Sequence, residues 1–113
     1  MILYGIPNCD TVAKARRWLD QAGIDYQFHD FRADGITAEQ IQQWCAQVDW
    51  TTLLNRRSTS WRKLSKQQQA EIDQPSAIAH MAQMPTLIKR PVLVTGKGIE
   101  VGFKPERYQQ LLG

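Results

Sequence analysis

The sequence predicts an α/β domain in which a mixed four-stranded sheet is flanked by helices and interrupted by a helical insertion. Three observations predict it. Two short apolar segments, residues 1–4 and 24–31, flank an amphipathic helical pattern. Capped helical patterns without β-type alternation then fill residues 37–83 or so. Two more apolar segments surround Gly96-Lys97-Gly98, and a last helical pattern closes the chain.

In order, Met1 to Tyr4 reads as a short buried strand, followed by a turn at Gly5, Pro7 and Asn8. From Asp10 onward, Val12, Ala15, Leu19 and Ala22 recur at spacings of three and four, which gives a helix one apolar face. Gly23 is placed to end that helix in the left-handed conformation. In Ile24–Phe31, Tyr26, Phe28 and Asp30 alternate against Gln27 and His29, the pattern of a second strand. Strand, helix, strand at this spacing predicts parallel pairing with a right-handed crossover. After the Asp34-Gly35 turn, Thr37-Ala38-Glu39-Gln40 resembles a capping box. It opens a helix whose inward face is Ile41, Trp44, Cys45 and Val48. Leu53-Leu54 is an apolar pair closing a short turn, and Asn55 to Lys63 is basic and rich in hydroxyls. Ser65 to Ile72 reads as a polar helix, and Pro75 as the first residue of another that ends near Gln83. Met84-Pro85 breaks that helix, and Thr86 to Arg90 lead towards the sheet. Pro91 to Thr95 is a buried-strand pattern that turns through Gly96-Lys97-Gly98 into Ile99–Gly102. So short a loop requires an antiparallel pair. Pro105 to Leu112 is a terminal helix with Tyr108, Leu111 and Leu112 inward. The order βαβ, helical block, ββα is a thioredoxin-like plan with an insertion at about 37–83, and a single domain over residues 1–113 is expected.

A length of 113 residues suits one domain that buries roughly two-thirds of its unfolded surface. With 42% hydrophobic and 22% charged residues, composition excludes disorder, and no apolar run nears the ~20 residues that span a bilayer. No charged leader precedes a long apolar core, so no signal peptide and no membrane partner are expected. Together with only two cysteines, Cys9 and Cys45, this predicts a reducing, cytoplasmic setting. The net charge of +3 favours anionic ligands mildly and argues little for nucleic acid. His29 and His80 lack the company a metal needs, so no metal or bound cofactor is expected.

Cys9 sits where the first strand hands over to the first turn of a helix. Unpaired N–H groups and the positive end of the helix dipole favour an anion there, and a thiol so placed ionises more easily. Cys45 reads instead as a packing residue between Ile41 and Val48. The position three after Cys9 is Val12, so there is no C-x-x-C pair. A disulfide cycle then needs an external thiol or Cys45.

Cys9 after the first strand, Trp61-Arg62-Lys63-Leu64, Arg90-Pro91 opening a late strand and Lys104-Pro105 before the last helix resemble the ArsC-type arsenate reductases. The Spx/YffB branch is the more similar one. The resemblance implies a thioredoxin-like fold with a helical insertion, a nucleophilic Cys9, and a cis Pro91 facing it. It also implies glutathione or another small thiol as co-substrate, glutaredoxin as a further partner, and a monomer. Arg90, Lys104, Arg57, Asn8 and Pro91 are the expected substrate- or glutathione-binding residues. The chain departs from the reductases at two places. Gly5-Ile6 stands where they carry His-Asn, and their three oxyanion-binding arginines are matched by Asn55, Arg90 and Lys104. Arg56 or Arg57 substitutes for the first by a small shift. A thiol oxidoreductase using a single nucleophilic cysteine is the expected function. The alternative is a non-enzymatic Spx-like redox regulator that binds the RNA polymerase α subunit.

Overall fold

A computed structural model describes all of residues 1–113. Its elements are β1 (Ile2–Gly5), α1 (Asp10–Gln21), β2 (Gln27–Asp30), α2 (Phe31–Asp34), α3 (Ala38–Cys45), α4 (Trp50–Leu53) and α5 (Thr59–Arg62). There follow α6 (Lys66–Ala70), α7 (Gln74–Gln83), a 3-10 turn at Pro85–Leu87, β3 (Val92–Thr95), β4 (Gly98–Val101) and α8 (Pro105–Leu112). They fall into two units, one of residues 1–34 with 90–113 and one of residues 35–89. No helix is long and apolar enough to cross a membrane.

The first unit holds the sheet, in strand order β2-β1-β3-β4. β1 pairs parallel with β2 and antiparallel with β3, which pairs antiparallel with β4. This is the mixed sheet of a thioredoxin-like fold. Its core gathers Leu3, Ala15, Leu19, Leu93 and Tyr108, all fully buried. Each such leucine stabilises the unit by about 1.5–3 kcal/mol relative to an exposed one. The α1 face is as the spacing predicts for Val12, Ala15 and Leu19 but not for Ala22, which is exposed because the helix has already ended at Gln21. Gly23 follows with φ 70°, and its N–H donates to the Asp20 carbonyl at 3.1 Å.

The second strand is shorter than the alternation implies. Ile24 N–H still donates to the Leu19 carbonyl of α1, so sheet pairing starts only at Gln27. At the other end the Asp30 carboxylate accepts the Arg32 N–H at 2.8 Å, a local turn bond that releases Phe31 into α2.

The second unit is helical, with α3 packed on α7. Thr37 caps α3, Ser65 caps α6 in a reciprocal capping box with Gln68, and Asp73 caps α7 in another with Ser76. The sequence places the start of α7 at Pro75, which is instead its second residue. Two short helices inside the stretch read as turn and basic run, α4 and α5, escape the sequence pattern because four residues complete barely one turn. The segment after the 3-10 turn does not run straight to the sheet. Leu54 bridges Ile88 in antiparallel fashion, and Lys89 N–H donates to the Leu53 carbonyl at 2.7 Å, so the helical unit continues to Lys89.

Candidate functional site at the sheet edge

Strand direction assembles this site. β1, β2 and β4 run one way and β3 the other, so the C-terminal ends of three strands and the N-terminal end of the fourth share one edge. The register is explicit: Gly5 lies beside Asp30, Tyr4 beside Val92, and Val92 beside Val101. One step further out, Gly102 N–H donates to the Pro91 carbonyl at 2.8 Å. The loop carrying Asn8 and Cys9 leaves this edge after β1, Arg32 follows β2, Arg90-Pro91 precede β3, and Lys104 follows β4. Of the expected site residues, Cys9, Asn8, Arg90, Pro91 and Lys104 thus converge on one edge of the first unit. Arg57 belongs to the second unit.

Cys9 is half-exposed and is the residue that caps α1, with extended backbone (φ −113°, ψ 125°). Its carbonyl accepts the Ala13 N–H at 2.9 Å. Behind it, Gly5 lets α1 approach β1. A Cβ on Gly5 would lie 2.8 Å from Val12 Cγ2, so no larger residue fits without a shift. Val12 is fully buried. The Arg90-Pro91 bond is cis, as the resemblance implies, with Pro91 buried and Arg90 half-buried. Lys104 is exposed and caps α8, its carbonyl accepting the Arg107 and Tyr108 N–H groups at 3.0 and 3.1 Å.

Sequence reasoning missed Arg32. Its Nη1 lies 3.5 Å from Asn8 Oδ1, next to Cys9 in the chain. Residues just past the ends of two adjacent parallel strands are neighbours, and the register shows that β1 and β2 end together. The sequence pattern reads Phe31 as the end of the second strand and gives Arg32 no role.

In the second unit, Arg57 lines a cavity of about 410 Å³ with Thr51, Leu54, Asn55, Arg56 and Lys89. Three cations and no carboxylate face this space. Asn55 builds the turn that presents them. Its N–H donates to the Leu87 carbonyl at 2.8 Å, and its Oδ1 accepts the Arg57 N–H at 3.1 Å. The Arg56 guanidinium lies 5.4 Å from the centre of the Trp61 ring, a cation–π contact. Cys45 ends α3 half-buried, and burial pushes its thiol up from the ordinary range. His29 packs between aromatic rings, 4.7 Å from Tyr4 and 6.3 Å from Phe31. No three His, Cys, Asp or Glu side chains group as a metal set.

A family model described as the ArsC family matches residues 4–111. A YFFB protein of known structure is 48% identical, covers 99% of this chain and 98% of its own, and superposes with a TM-score of 0.95. An arsenate reductase (ArsC) related protein from Brucella melitensis is 44% identical over 96% of this chain and 91% of its own, with a TM-score of 0.77. The global transcriptional regulator Spx of Lactiplantibacillus plantarum is 25% identical, covering 99% of this chain and 86% of the regulator.

Proposed function

From the premise that this chain belongs to the ArsC family, we propose that it is a glutathione-dependent thiol oxidoreductase with Cys9 as its single nucleophile. One observation carries the reading: a half-exposed cysteine starts a helix of twelve residues at a sheet edge shared with Arg90 and Lys104. Helix N-termini and guanidinium groups both favour anions, here an anionic substrate. The Cys9 thiolate attacks the oxidised sulfur of a disulfide substrate. A Cys9–substrate disulfide forms, and the displaced thiolate leaves with the electron pair of the broken bond. Glutathione thiolate then attacks the substrate sulfur of the adduct, forming a glutathione–substrate disulfide and releasing the Cys9 thiolate with the electron pair of the broken bond. A second glutathione, or glutaredoxin, reduces that disulfide and is itself oxidised. Arg90, Lys104 and Asn8 contact the glutathione carboxylates and peptide groups, and Pro91 presents backbone beside the sulfur. Arg57 is an anion contact in the basic cavity of the helical unit. The working setting is the reducing cytoplasm, with the monomer as the active form.

Incubation with oxidised glutathione, followed by intact mass measurement and peptide mapping, tests this. One glutathione adduct on Cys9 is expected, absent in Cys9→Ser and retained in Cys45→Ala. An adduct confined to Cys45, or none, rejects the single-cysteine mechanism.

The likeness to Spx favours a second reading, a redox regulator binding the RNA polymerase α subunit. A fully buried Val12 three residues after Cys9 weighs against it, because a two-cysteine switch has no second thiol there. Co-purification with polymerase subunits, without thiol transfer from Cys9, would favour the regulator.

A further inference from the structure

We propose that Arg32 is a specificity-determining residue of the Cys9 site, where its guanidinium favours disulfides that carry a carboxylate. The inference rests on the thiol-transfer reading above and names the substrate chemistry that reading leaves open. Three observations support it. The pairing of Gly5 with Asp30 puts the loop after β1 and the residues after β2 side by side. The Arg32 guanidinium reaches Asn8, the residue preceding Cys9, rather than a carboxylate. Asp30 and Asp34 each lie two residues from Arg32; the Asp30 carboxylate accepts the Arg32 backbone N–H at 2.8 Å, which orients α2, while the guanidinium itself extends to the Cys9 loop.

Of the residues that the resemblance pairs with the reductases' arginines, Arg90 and Lys104 belong to this unit and Asn55 to the other. Arg32 adds a third cation to the edge, from the turn of helix that follows β2. An exposed guanidinium there attracts an approaching anion and offers it a planar two-pronged donor. The 3.5 Å contact with Asn8 Oδ1 places that donor beside the thiol loop.

The test uses the Cys45→Ala protein, so that only Cys9 reacts, and two small symmetrical disulfides. One is the dianionic 5,5′-dithiobis(2-nitrobenzoate), the other the uncharged 2,2′-dithiodipyridine. In both, the Cys9–sulfur bond forms as the disulfide breaks, and one aromatic thiolate departs with its electron pair. No other oxidant or reductant takes part, and the released chromophore reports the rate. Arg32→Gln is expected to slow the dianionic probe by about two- to fivefold, the scale of one exposed charge interaction. The uncharged probe should be unaffected, which also shows that the fold and the thiol are intact. Arg32→Lys should keep most of the preference, and 1 M salt should reduce it in the parent. Equal slowing of both probes, or an unchanged ratio in Arg32→Gln, overturns the assignment while leaving Cys9 chemistry in place. A Cys9 that reacts with neither probe in the parent overturns the thiol-transfer reading itself, and this inference with it.

Discussion

The two thiols of the chain meet different surroundings: Cys9 is half-exposed ahead of α1, while burial pushes the Cys45 thiol up from its ordinary range. Because the thiolate is the reacting form, iodoacetamide at pH 8 should label Cys9 first and Cys45 several-fold more slowly. Equal labelling, read by peptide mapping, would remove the distinction. Tyr108 is a second residue set by its burial. It is fully buried, its ring meets Trp18 and Phe103 edge-on at 5.6 and 4.9 Å, and its hydroxyl has no hydrogen-bond partner. Burial first, then the nearby Glu100 charge, raises its pKa far above the ordinary tyrosine value. Above pH ~10 the unfolded chain releases this proton while the folded one keeps it. The stabilisation is therefore complete below pH ~10 and is lost as pH rises, at about 1.4 kcal/mol per pH unit. Tyr108→Phe should flatten that alkaline loss in urea unfolding. At pH 7 it should be neutral or stabilising by up to about 1 kcal/mol, since it keeps the ring and removes a desolvated hydroxyl.

At the scale of elements, the approach of α1 to β1 decides where Cys9 sits. Gly5→Ala forces a methyl to within 2.8 Å of Val12 Cγ2, so Val12 or the helix must shift. The expected cost is about 1–3 kcal/mol of stability, the scale of an overpacked core. Val12→Ala in the same protein should recover part of it, because the two residues share the clash and their effects will not add. Additive losses in denaturant unfolding would show that the contact is not the cause.

For the whole molecule, arsenate reduction and disulfide exchange make different demands. Three arginines around an oxyanion suit arsenate, whereas disulfide exchange needs one accessible thiolate and a modest anion site. Here Asn55 is engaged in a turn, with Leu87 and Arg57 as its partners, and Lys104 offers a point charge rather than a planar fork. Arsenate turnover by the purified protein, supplied with glutathione and glutaredoxin in an NADPH-coupled assay, should stay at background. Efficient turnover would mean that other cations complete the oxyanion site.

Local chemistry in the chain determined much of this protein without tertiary information. Apolar periodicity marked α1, α3 and α8, Gly23 marked the end of α1, and the Gly96-Lys97-Gly98 turn made β3 and β4 antiparallel. Cys9 stood out because a strand, a turn and a helix start are all short-range patterns. What the tertiary structure alone decided depends on pairings between distant segments. The bridge of Leu54 to Ile88, which carries the helical unit on to Lys89, joins residues whose own sequence reads as turn and as strand approach. The fit of Gly5 against Val12 depends on how closely a helix settles on a strand, which periodicity does not report. Arg32 reached the Cys9 edge only because the parallel register aligned the ends of β1 and β2. A charge on an exposed one-turn helix leaves no trace in a hydrophobic pattern, so its neighbour could be known only once the strands were paired.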